Sequence, residues 1–164
     1  MFDSYEFGKK EHIPSFYTAT EVMTVEGSID RSSGVGKRNY AMVLLASRLG
    51  LRASDIANLK FSNLDWDNNL ITLVMQKTDK TIELPLLADV GNAIIDYLRH
   101  GRPQSDLQHV FLSSRAPYVT ATKEMVCSVI NTIICKSGID VTSKHHDSIP
   151  NATHWQAHCL SMEL

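Results

Sequence analysis

Three charged side chains in the first half of the chain are spaced to handle a phosphate. Arg52 follows a Gly-Leu pair at the junction of two helical stretches, Asp55 stands three residues on, and Lys77 ends the β-like run LITLVMQK. An arginine at such a junction loses hydration unless it meets an anion or a carboxylate, and its planar fork matches two oxygens at once. The plain alternative is a structural pair between Arg52 and Asp55, with Lys77 an exposed turn lysine. A second group lies in the closing stretch, HHDSIPNATHWQAHCLSMEL, where His154 and His158 stand four apart with His145, His146 and Cys159 nearby. His-x-x-x-His on a helix ligates zinc, but Pro150 and the lack of an apolar stripe argue against a helix here. No native metal and no other cofactor is expected.

Periodicity gives the elements that must position these groups. Thr18 and Glu21 have the spacing of a capping box and open a short helix through about Glu26. After the turn-rich GSIDRSSGVG, the stretch KRNYAMVLLASRLG reads as a helix whose middle, AMVLLA, is apolar on every side and so belongs in the core. Gly50 is placed to end it. Ser54 is the expected cap of a second short helix, SDIANLK, which leads to a strand end and turn in FSNLDWDNN. LITLVMQK and TIELPL, joined by Thr78, Asp79 and Lys80, read as a hairpin. A helical period through Val90, Ile94, Ile95 and Leu98 stops at Gly101 and Pro103, and HVFLSS is a short extended piece. The longest helix is expected from about Thr120 to Lys136, with Met125, Val126, Val129, Ile130, Ile133 and Ile134 on one stripe and Gly138 beyond its end. The fold class is α+β and mostly helical, helices surrounding a small antiparallel β-hairpin or sheet.

Composition bounds the function. With 164 residues, 43% of them hydrophobic, the chain can bury a core as one domain. No apolar run approaches the roughly 20 residues of a membrane span, and the amino terminus has no signal-peptide h-region, so a soluble protein with no membrane partner is expected. Cys127 and Cys135 lie about 12 Å apart on one predicted helix, too far to bridge, which fits reduced thiols in the cytoplasm. A net charge of −2 makes no global case for nucleic acid. Locally, Arg31, Lys37, Arg38, Arg48, Arg52 and Lys60 face only Asp30 and Asp55, a basic segment more often solvated than bound.

The order of these pieces carries a resemblance. GKRNYAMVLLASRLGLRASDIANLKFSNLDW, then MQKTDKTIELPL, then HVFLSS and the helix beyond it resemble the catalytic domain of the tyrosine recombinases, or phage integrases, from about Ile13 to His146. Such enzymes cut DNA with a tyrosine, forming a 3′-phosphotyrosyl link that a 5′-hydroxyl later reverses without metal or external energy. The resemblance implies that Arg52 is the first catalytic arginine, holding a nonbridging phosphate oxygen, and that Asp55 is the acidic residue supporting the site. It implies that Lys77 is the hairpin lysine, a general acid to the leaving oxygen, with Lys80 in the turn's exit as the alternative. Double-stranded DNA is then the expected partner, met by Arg31, Lys37, Arg38, Arg48 and Lys80, together with other recombinase protomers or self-association.

The family also carries a His-x-x-Arg block, a further His or Trp, and a nucleophilic Tyr. The sequence contains none of these in place, since Tyr5, Tyr17, Tyr40, Tyr97 and Tyr118 all precede the position of the second block. Read one base out of phase, the codons of the closing stretch are compatible with His-Ser-x-Arg-His-x-Leu-Ala-Ser, with the Leu and Ala forced by the codons of His154, Trp155 and Gln156. A frameshift near His146 or Asp147 is therefore expected, and reading the nucleotides tests it. The expected organisation is an amino-terminal tail or linker stub at 1–16, a partial catalytic domain at 17–146, and an aberrant, weakly packed tail at 147–164, without the family's DNA-clamping domain. Function is then expected to be site-specific recombination by descent, inactive alone. The alternatives are a noncatalytic DNA-binding module and a histidine-tail metal binder. Apolar surface left uncovered predicts marginal stability or self-association.

Overall fold

Thr18 opens helix α1 (Ala19–Gly27) with the expected capping box: its hydroxyl accepts from the Glu21 amide at 3.2 Å, and the Glu21 carboxylate accepts from the Thr18 amide at 2.7 Å. The computed structural model describes residues 17–75 and 79–139. Helix α2 (Gly34–Leu49) is capped by Ser33, whose hydroxyl accepts from the Gly36 amide at 3.0 Å. Its middle, Ala41 to Ser47, is buried without a break, as an apolar stretch on every face requires, and it packs against α1 and three later helices. Gly50 ends α2 in the left-handed region at φ 64°, and the Leu51 amide reaches back to the Leu45 carbonyl at 3.2 Å.

That tight corner corrects one expectation. Helix α3 (Ala53–Ala57) is not capped by Ser54, which lies inside it; Arg52 holds the N-cap position, extended at φ −71° and ψ 153°, with no side-chain cap bond. Leu51 is buried in the core, which leaves a single extended residue before the next helix must begin.

A 3₁₀ turn (Phe61–Asn63) leads to a three-stranded antiparallel sheet in the order β1 (Leu64–Asp65), β2 (Leu70–Val74), β3 (Thr81–Pro85). The expected hairpin is β2–β3, with Leu70 opposite Pro85 and Val74 opposite Thr81. Ile71 and Leu73 point inward at the two-residue period of a strand. The Met75 amide donates to the Lys80 carbonyl at 2.9 Å and the Asp79 amide to the Met75 carbonyl at 2.9 Å, tying the ends of the two strands together.

Helix α4 (Ala88–His100) buries Val90, Ile94 and Tyr97. Its exit crosses the start of α2 so closely that a Cβ on Gly34 would stand 2.8 Å from the Gly101 Cα, a separation that only glycine tolerates. Helix α5 (Lys123–Lys136) starts later than expected, because Thr120 is still bridged to Leu112 and the Ala121 amide donates to the Phe111 carbonyl at 3.0 Å. Thr122 caps it, and Val126, Ile130, Ile133 and Ile134 form its buried stripe against α2 and α3. Cys127 is buried and Cys135 exposed, both free thiols.

Candidate phosphate-binding site

The α2–α3 corner delivers Arg52 to its place. The side chain is half-buried, and its Nη1 is fully enclosed with no hydrogen-bond acceptor among the described residues. Asp55, only 3% exposed, stands on the first turn of α3, its amide donating to the Arg52 carbonyl at 2.9 Å. α3 packs on α5, so this corner is anchored from two sides. Enclosing a guanidinium N–H without an acceptor costs roughly 1–3 kcal/mol, a cost that any acceptor reaching it would remove. Lys77, with Gln76 and Thr78, lies outside the described residues, as do His145, His146, His154, His158 and Cys159. Lys80 is exposed just before β3.

The basic segment does not form one solvated face. Arg31 is exposed, its guanidinium carbon 4.6 Å from the centre of the Tyr40 ring. Lys37 Nζ donates to Asp96 Oδ2 at 2.6 Å, and this bond is the chief reason that the Asp96 carboxyl sits below the usual carboxylate range. Arg38 is 5% exposed; its Nη1 donates to the Leu112 carbonyl at 3.0 Å, and its Nε and Nη2 to Asn39 Oδ1 at 3.2 and 3.0 Å. Arg48 forks onto Glu26, Nε to Oε1 at 3.1 Å and Nη2 to Oε2 at 2.7 Å, and the same Oε1 accepts from Ser47 Oγ at 2.6 Å. The fork onto Glu26 raises the Arg48 guanidinium above its already high ordinary value. Lys37, Arg38 and Arg48 are thus engaged in holding the fold. Their partners Asp96, Leu112 and Glu26 are 59, 74 and 22 residues away, beyond the reach of local pattern.

Two of the tyrosines serve structure. Tyr97 is buried against Phe111, ring centres 5.6 Å apart, and its hydroxyl accepts from the Leu112 amide at 3.4 Å. Tyr40 lies under Arg31. Sequence reasoning passed over Arg99, His100 and Arg102, reading their stretch only as the end of α4. Arg102 donates to the carbonyls of Leu107, His109 and Val110 at 2.7, 3.0 and 3.2 Å and pins the loop between α4 and α5. The signal was three basic side chains within four residues at a helix end, Arg99 to Arg102.

A profile of the phage integrase family matches residues 15–160. A protein of Sinorhizobium fredii described as an integrase/recombinase, y4rA, is 36% identical over 155 residues, which are 93% of this chain and 35% of that protein. Among solved structures, the XerA recombinase superposes with a TM-score of 0.70 at 18% identity, covering 96% of this chain and 52% of that one. The XerH site-specific recombinase, bound to a palindromic difH substrate in a post-cleavage complex, gives 0.68 at 17% identity, covering 91% and 42%. These superpositions show the fold, helices around a small antiparallel sheet. The chain spans about a third of the curated relative and about half of XerA or less of XerH.

Proposed function

The chain belongs to the phage integrase family, and on that premise we propose that it serves site-specific DNA recombination, breaking and rejoining strands through a phosphotyrosine link. The observation that carries the reading is Arg52: a half-buried guanidinium whose Nη1 is enclosed and lacks an acceptor among the described residues. In this reading the fork of Arg52 takes a nonbridging oxygen of the scissile phosphate and stabilises the charge that grows there in the transition state. Asp55 acts as a positioning residue on the adjacent turn, and Lys77 protonates the leaving 5′-oxygen.

Duplex DNA is the partner this chemistry requires, and the XerH complex with its substrate supports it. Arg31 and Lys80, both exposed, are assigned to outlying backbone phosphates. The engagement of Lys37, Arg38 and Arg48 by protein partners weakens the alternative of a noncatalytic module that binds through one basic face.

These 164 residues contain no His-x-x-Arg sequence. They are taken to hold and orient a phosphate without breaking the strand unaided. The test is to incubate the chain with a tyrosine-bearing carboxy-terminal fragment of a relative and a nicked duplex, then look for covalent protein–DNA adducts after denaturation. Adducts are expected only in the mixture and only with Arg52 intact. Adducts from the chain alone, or adducts that Arg52→Ala leaves undiminished, would overturn the assignment.

A further inference from the structure

The end of α2 remote from Arg52 carries a cationic concavity, a cavity of about 490 Å³ between the start of α2, the exit of α4 and the loop before α5. We propose that it is a second phosphate-binding site, taking the phosphate group either of a small free compound or of a nucleic-acid backbone. α2 has sixteen residues and is about 24 Å long, so one phosphate cannot serve both ends. The assignment does not rest on the recombinase reading.

The lining has the chemistry of an anion site. Arg38, Arg99, His100 and Arg102 contribute to the wall, and no carboxylate among the described residues does. Arg38 is the strongest sign. It is 5% exposed, yet its hydrogen-bond acceptors are the neutral Leu112 carbonyl and Asn39 amide oxygen, and no carboxylate among the described residues forms an ion pair with it. A buried, uncompensated charge is retained at a cost unless an anion completes it. Burial accordingly pushes the Arg38 guanidinium below its ordinary value. Of the five N–H donors of an arginine, Arg38 uses three on these acceptors, which leaves two for a ligand.

The remaining donors fit the same ligand. Ser33, Ser114 and Tyr118 add hydroxyls to the wall, while the Ser113 hydroxyl there already donates to the Arg115 carbonyl at 3.0 Å. Gly34 and Val35 open α2, and the first amides of a helix have no partner within it. The neighbouring acid, Asp96, is already held by Lys37 at 2.6 Å and His100 at 2.9 Å and does not reach the wall.

Amide-resolved NMR on the full chain tests the proposal, with inorganic phosphate titrated in one arm and a short DNA duplex in the other. Saturable shifts at Gly34, Val35, Ser113 and Ser114 are expected, weakened at least tenfold by Arg99→Glu and by Ser114→Asp, both substitutions at exposed positions that leave the core intact. A response to inorganic phosphate that the duplex does not elicit assigns the site to a free compound; a response to the duplex, with or without one to inorganic phosphate, assigns it to a backbone. No response at these amides in either arm, or a response that both variants leave unchanged, overturns the proposal. Shifts here without any at Leu51 to Asp55 would leave this site standing while removing support from the Arg52 assignment.

Discussion

Replacing Arg52 by Met separates a phosphate-binding arginine from a structural one, because the two roles predict opposite changes in stability. Met keeps the apolar stem and its packing but removes a guanidinium whose Nη1 is enclosed without an acceptor among the described residues. An unsatisfied buried donor costs roughly 1–3 kcal/mol, and the half-exposed remainder of the group regains little, so Arg52→Met should leave unfolding free energy unchanged or raise it by up to about 1 kcal/mol. Binding should move the other way. A charge-assisted hydrogen bond contributes roughly 1.5–3 kcal/mol, so duplex affinity should fall by about 10- to 150-fold at fixed salt. Arg52→Lys should not rescue it, since an ammonium lacks the fork geometry. Urea denaturation in a phosphate-free buffer measures the first quantity and fluorescence anisotropy with a short duplex the second. Added phosphate should raise the midpoint of the native chain and have a smaller effect on Arg52→Met. A loss of more than about 1 kcal/mol of stability together with unchanged affinity would refute the reasoning and make Arg52 a structural residue.

Two further outcomes follow from the packing. Glu26, 8% exposed, ties α1 to α2 by accepting from Ser47 and Arg48; Glu26→Ala should cost about 1–2 kcal/mol in denaturant unfolding, the Arg48 share being small because that side chain is 39% exposed. A much smaller loss would mean that α1 is held by its apolar contacts alone. Burial raises the Tyr97 hydroxyl above its ordinary value of 10.0, so the unfolded chain ionises first. The stabilising difference is present at neutral pH and is lost as pH climbs above about 10, where the unfolded state binds fewer protons than the folded one. Tyr97→Phe should cost about 1 kcal/mol at neutral pH, through the acceptor lost to the Leu112 amide, and should flatten the alkaline decline in unfolding curves recorded from about pH 8 to 11. An unaltered alkaline limb would place that titration elsewhere.

Groups whose partners lie within one element were open to reading from residue order alone. The capping box of Thr18 and Glu21, the left-handed glycine at 50 and the hairpin across β2 and β3 each depend on neighbours within a few residues. The position of Arg52 at the N-cap of α3 is local in the same way, since Gly50 and Leu51 set the turn before it. Where a longer contact intervened, local reading slipped. Ser54 failed as a cap because the core claimed Leu51, and α5 began three residues late because Thr120 was already paired with Leu112.

Sequence by itself determined which residues are apolar, where the backbone must turn and which family the chain resembles, because those properties are carried by side-chain chemistry and by spacing along the chain. Only the tertiary structure decided what each cation does. Arg31, Lys37, Arg38 and Arg48 read as one basic run, yet folding sends them to an aromatic face, an aspartate, a backbone carbonyl and a buried glutamate. A charge acts on whatever lies within a few ångströms of it, and Lys37, Arg38 and Arg48 each meet a neighbour 22 or more residues away along the chain, although Arg38 also bonds the adjacent Asn39.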